Sequence, residues 1–138
     1  MAGTLVELIE KNMELLVDGI TKEAIQRIPS YGEAPIKQTL GRMERMLGVL
    51  VDSIRRNHPD VLEQYLMGIA EERREQAYPV GELHAVFDVM EHHLQDLVVQ
   101  ATADEVERNA HLALVDATMA SARMILSKAY LLLAKSES

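Results

Sequence analysis

Four prolines divide this chain into segments, and within each segment the apolar residues recur every three or four positions. That spacing places apolar side chains on one face of an α-helix, and proline disfavours helix continuation because it lacks an amide hydrogen. No stretch of useful length alternates with the period of two that is typical of a half-buried strand. The pattern therefore predicts an all-α protein.

Five helices are predicted, at about residues 4–28, 35–56, 59–78, 80–101 and 103–135. The first begins at a capping box of Thr4 and Glu7, and the last begins at a capping box of Thr102 and Glu105. The connections between them are short, which is typical of successive helices that pack antiparallel. We therefore predict that residues 1–138 form a single-domain bundle of about five helices with antiparallel neighbours.

The composition argues against several classes of function. There is no cysteine, which excludes disulfides, thiol redox sensing and cysteine-based zinc sites. With 14 basic and 22 acidic residues the net charge is −8, so we expect no nucleic-acid partner. The N-terminal segment does not resemble a signal peptide, and no apolar run approaches the roughly 20 residues of a membrane-spanning helix. We expect a cytoplasmic protein without membrane insertion.

Histidines and carboxylates on the fourth predicted helix are the best candidates for a metal site. His84, Asp88 and His92 are spaced four residues apart and share one side of that helix, and His111 on the fifth helix could complete the set. However, carboxylate-bridged di-iron bundles need Glu-x-x-His pairs, and the chain contains none. Haem ligation by His92 or His93 is a further alternative. We expect solvated histidines and no resident cofactor.

No motif in the sequence indicates catalysis. The chain has neither a Gly-x-Gly-x-x-Gly loop nor a Gly-Lys-Ser/Thr loop, so the usual nucleotide-binding signatures are missing. No serine, histidine and aspartate occur in the strand-turn-helix context of a hydrolase. We therefore predict that the protein is not an enzyme.

The segment between the third and fourth predicted helices combines a charged helix end with a proline-marked turn. Arg73 is followed after three residues by a small residue, Tyr78 and Pro79, and a Glu82-Leu83 pair then opens an amphipathic helix. This pattern resembles the RsbRD-type N-terminal domain, an all-helical module of RsbT co-antagonists and some bacterial sensor kinases. The resemblance extends in helix order and length over nearly the whole chain.

The resemblance implies a sensory or regulatory input domain in bacterial signal transduction, including stress responses. Such a module passes a conformational change to a C-terminal output domain or to a signalling partner, often through its last helix. The candidate ligand or regulatory residues are Arg73, Arg74, Tyr78 and Glu82, because an inward-turned guanidinium could clamp Glu82 or the carboxylate of a ligand. The alternative is that this charged run is a solvated helix end.

The last predicted helix carries more apolar residues than one core-facing stripe requires. We therefore predict a homodimer formed through the first and last helices, with Leu126 and Leu132 at its interface. In the alternative, the last helix is central to the monomer and surrounded on all sides. Two other functions also stay open: a helical assembly module, and a metal- or haem-binding bundle.

Overall fold

The computed structural model describes the backbone of residues 2–75 and 79–136 and the side chains of residues 5–72 and 79–135. Seven helices lie within that part: α1 (Ala2–Lys11), α2 (Met13–Arg27), α3 (Pro29–Glu33), α4 (Ile36–Arg56), α5 (Asp60–Glu75), α6 (Val80–Ala101) and α7 (Glu105–Ser136). The described residues contain no strand. The all-α class is confirmed, and the described residues form seven helices where about five were predicted.

The longer helices pack in a closed ring. α2 contacts α4 and α6, α6 contacts α7, α7 contacts α5, and α5 returns to α4. α1 lies against α4, α6 and α7 and so adds its apolar residues to the same core. Every helix contributes fully buried side chains, among them Leu5, Ile9, Ile20, Tyr31, Met43, Leu47, Leu62, Leu66, Leu83, Phe87, Met90, Met119 and Leu126.

The first predicted helix, residues 4–28, is broken in the structure at Asn12. The Asn12 side-chain amide donates a hydrogen bond to the Leu8 carbonyl at 2.9 Å, and its backbone amide donates to Ile9 at 3.1 Å. Asparagine competes in this way with the regular helical hydrogen bonds. Because of the break, α1 contacts α7 while α2 contacts α3.

The capping prediction for the last helix is also corrected. Thr102 is buried and ends α6, and its amide donates to the Val98 carbonyl. α7 begins three residues later, and its N-cap is Asp104, whose carboxylate accepts a hydrogen bond from the Glu107 amide at 2.9 Å. A carboxylate at this position satisfies a free helical amide and complements the helix dipole.

The inner side of α7 forms one buried stripe along most of its length. The stripe consists of His111, Val115, Met119, Ala122, Leu126 and Ala129, which are spaced three or four residues apart. Leu126 is 0% exposed within its own chain, so its predicted place at a dimer interface is wrong. Leu5, Val6 and Ile9 of α1 are likewise buried in the core, whereas Leu15 of α2, also within the predicted first helix, is 70% exposed.

Leu126→Ala should destabilise the protein by roughly 3 kcal/mol, because it removes fully buried methyl groups and leaves a cavity. Leu131→Ala is the matched control on the same helix, since Leu131 is 57% exposed, and should cost less than about 1 kcal/mol. Urea denaturation followed by circular dichroism gives both free energies of unfolding. Equal losses for the two variants would contradict the assignment of the inner face.

Candidate functional site

The predicted ligand-binding cluster is described only in part. The side chains of Arg73 and Arg74, and the whole of Tyr78, lie outside the described residues. Among the described side chains, Glu82 contacts Ser30: its carboxylate accepts hydrogen bonds from both the backbone amide and the hydroxyl of Ser30. Glu82 therefore ties the start of α6 to α3.

The four metal-ligand candidates are not brought together. His84 Nε2 lies 2.9 Å from the hydroxyl oxygen of Ser127, and Asp88 accepts a hydrogen bond from Arg123 at 2.7 Å. Both residues are therefore used in contacts between α6 and α7. Among the side chains of residues 5–72 and 79–135, no three histidine, aspartate or glutamate residues are grouped so that they could hold a metal ion.

The other two candidates have separate neighbours. His92 is exposed and lies 3.4 Å from Asp96 on the next turn of α6. His111 is a buried residue of α7; its Nε2 atom lies 3.5 Å from the Glu107 carboxylate but forms no hydrogen bond with the described residues. One candidate is thus solvated and the other belongs to the core.

Arg123 is the centre of the polar contact between α6 and α7. Its guanidinium contacts Asp88 at 2.7 Å and Glu91 at 2.5 Å. Partial burial lowers the pKa of Arg123, but hydrogen bonds and charge attraction from these two carboxylates outweigh it and raise the pKa overall. Together with His84 and Ser127, one turn away on each helix, this contact fixes α6 and α7 as antiparallel neighbours.

A second polar contact joins α2 to α6. The Glu23 carboxylate lies 3.0 Å from His93 Nε2 and accepts a hydrogen bond from Arg27 at 2.6 Å. The His93 ring can approach α2 because Gly19 has no side chain; a Cβ atom there would lie 3.1 Å from the ring. Arg27 lowers the pKa of Glu23, partial burial opposes that effect, and the bond to His93 lowers the pKa further.

This contact predicts a pH dependence of stability. A carboxylate whose pKa is lower in the folded state than its unfolded value of 4.5 stabilises the fold above about that pH. The stabilisation is lost as the pH falls through the folded-state pKa. Wild type should therefore be more stable than Glu23→Gln at pH 7, and the difference should vanish in acid. Glu44→Gln, at an exposed position within α4, is the control. A difference that persists well below pH 4 in denaturation curves would contradict this.

Arg42 is a buried charge that the sequence analysis did not single out. It lies within the apolar face of α4 and is 7% exposed, and its Nη1 atom has no hydrogen-bond partner. Its Nη2 atom lies 3.9 Å from the carboxylate of Glu72, which is half exposed. Burying a guanidinium costs more free energy than one long ion pair returns.

Arg42→Met should therefore be neutral or stabilising, because methionine fills a similar length without the desolvation cost. The Glu72 side chain is 56% exposed, so its carboxylate stays hydrated in the variant. Arg42→Lys keeps the buried charge and should be less stable than Arg42→Met. Chemical denaturation compares the three proteins; a loss above roughly 2 kcal/mol in Arg42→Met would show that the ion pair is stabilising.

A wide groove opens at the break between α1 and α2. Its volume is about 1080 Å³, and it is bounded by α4 on the other side. Four of its ten lining residues are acidic: Glu10, Glu14, Asp18 and Glu44. The side chains around it are mostly exposed, so the groove does not enclose a ligand in the manner of a typical small-molecule pocket.

The outer side of α7 carries a second apolar stripe, opposite the buried one. Its members are all exposed, and the spacing between successive members alternates between four and three residues: Val106, Ala110, Ala113, Ala117, Ala120, Met124, Ser127, Leu131 and Ala134. We call this set the outer stripe. Val106, Met124 and Leu131 are 79%, 69% and 57% exposed. Leu132, one of the two predicted interface residues, lies beside the stripe and is 49% exposed.

Such a strict alternation by four and three residues is typical of helices that pack against another helix along their length. The sequence analysis noted that α7 is apolar on more than one face, but it did not separate the two stripes. The regular spacing from Val106 onward was the signal that could have done so. The outer stripe is therefore the candidate functional surface.

Comparison with protein-family models, with curated proteins and with solved structures finds no match to this chain. Among the described residues, no helix combines the length and the apolar character needed to cross a membrane.

Proposed function

We propose that this chain is a non-catalytic regulatory module that engages another protein through the outer stripe of α7. The observation that carries the proposal is the exposure of Val106, Met124 and Leu131 in one helical register. Exposed apolar residues that line up over a helix of 32 residues are typical of an interaction surface, whereas single exposed ones are not.

The contacts of the polar side chains support a role without catalysis. Glu82, His84, Asp88 and Arg123 each bind a residue of a neighbouring helix. A general acid, base or nucleophile needs a reactive group directed at a substrate within a cleft. These side chains instead hold helices together, and we propose that the protein works without a cofactor.

The place of the module in bacterial signal transduction rests on the resemblance of its third and fourth predicted helices to the RsbRD-type domain. On that basis we propose a cytoplasmic input domain that acts on a signalling partner or an output domain through its last helix. An assembly module without a signalling role would use the same outer stripe. The input domain and the assembly module differ in whether the protein bound at the outer stripe is a signalling component.

Photochemical capture in living cells tests the proposal. The cross-linking residue p-benzoyl-phenylalanine is placed at Met124 in the outer stripe and, as a matched control, at the exposed Gln38 on α4. We expect a discrete cross-linked product from position 124 and none from position 38, because Gln38 is also exposed but lies outside the outer stripe. Leu131→Glu in the same chain should abolish the product. The absence of any product at position 124 would overturn the proposal.

A further inference from the structure

We propose that the outer stripe pairs with the outer stripe of a second copy of this chain, with the two α7 helices antiparallel. This inference rests on the proposed function, since it names the partner of the surface described there. It is carried by the charges along the two edges of the stripe and by the sizes of the side chains within the stripe.

The charges beside the outer stripe change sign along α7. Glu107 and Asp116 flank its first half, and Arg123 and Lys128 flank its second half. Glu107 and Lys128 lie along one edge of the stripe, and Asp116 and Arg123 lie along the other. In antiparallel helix pairs each edge meets the same edge of the partner in reverse order, so acidic and basic halves come together.

One register satisfies both edges at once. With Ala117 next to Ala120 of the second copy, Glu107 faces Lys128 and Asp116 faces Arg123, and each pair occurs twice because the dimer is symmetric. Shifting the second helix by one heptad in one direction places Arg123 opposite Arg123 of the second copy. The same shift in the other direction places Asp116 opposite Asp116 of the second copy, so like charges meet in both cases. A parallel pair brings Arg123 beside Lys128 and joins no opposite charges.

The sizes of the side chains fit the same register. Alanines occupy the centre of the stripe and allow the helices to approach closely, while Met124 meets Ala113 and Val106 meets Leu131 of the second copy. The contact from Val106 to Leu131 would extend over about 38 Å of helix. Ser127 is the polar member of the stripe, and its hydroxyl already has a partner in His84.

Glu107 and Lys128 are the charges to test: Arg123 is already bound by two carboxylates of its own chain at 2.7 and 2.5 Å, whereas Glu107 is 39% exposed and has a longer contact, 3.5 Å, with His111. Sedimentation velocity over a concentration series measures dimer dissociation for wild type, Glu107→Lys, Lys128→Glu and the double variant. Each single reversal should weaken the dimer about tenfold, and the double reversal should restore it to within about threefold of wild type. Lys37→Glu on α4 is the matched control and should have no effect.

Disulfide cross-linking tests the direction of the two helices. The chain has no cysteine, so single cysteines report without interference. Ala120→Cys lies near the symmetry axis of the antiparallel pair and should cross-link on mild oxidation, whereas Ala110→Cys should not. Cross-linking of both would indicate a parallel pair and would overturn the proposed register. Circular dichroism verifies that each variant is folded.

The outcomes separate this inference from the proposed function. A wild-type protein that stays monomeric at about 100 micromolar overturns self-pairing, as does a double reversal that is weaker than both single ones. Photochemical capture of a different protein at Met124 would then leave the proposed function standing. Capture of a second copy at Met124, together with rescue by the double reversal, supports both.

Discussion

The burial of the inner face of α7 between α5 and α6 holds the two halves of this chain together. α5 leads back to α4, and α6 leads back to α2, so the ring of helices closes only where both meet α7. At 1.5 Å per residue, the 32 residues of α7 are about 48 Å long, against about 24 Å for α5 and about 33 Å for α6. Shorter neighbours of this kind cannot cover a helix of that length on all sides.

Polar contacts between α6 and α7 determine how these helices are aligned. Apolar packing alone tolerates several registers, because methyl groups from one turn resemble those of the next. The hydrogen bonds of His84 with Ser127 and of Asp88 with Arg123 occur one turn apart in the same alignment. A slip of one turn would break both at once and would leave Arg123 away from Asp88. The contacts therefore specify the position of α7 more than they add to its stability.

Sequence periodicity predicts helices well here, but it does not say which of two apolar faces is inside. Prolines and the spacing of apolar residues predicted α4 and α6 to within one residue. The break at Asn12 was missed because apolar residues continue at helical spacing on both sides of it. Leu126 and Leu131 look equally apolar in sequence, and only the positions of α5 and α6 make one buried and the other exposed. Arg42 was missed because an arginine within an apolar face is usually directed outward.

The opposite placement of the two stripes limits how α7 could carry the signal that we propose. Rotating the helix to change its outer face would expose Leu126 and cost about 2 kcal/mol for that side chain alone. A relay that keeps the core intact must therefore act beyond Ala129, the last buried residue of the inner stripe. In that final segment Leu131 and Leu132 are 57% and 49% exposed, whereas Tyr130 and Leu133 pack partly against the core. Covering the outer stripe would bury Leu131 as well, and we expect the end of α7 to become more stable when a partner binds.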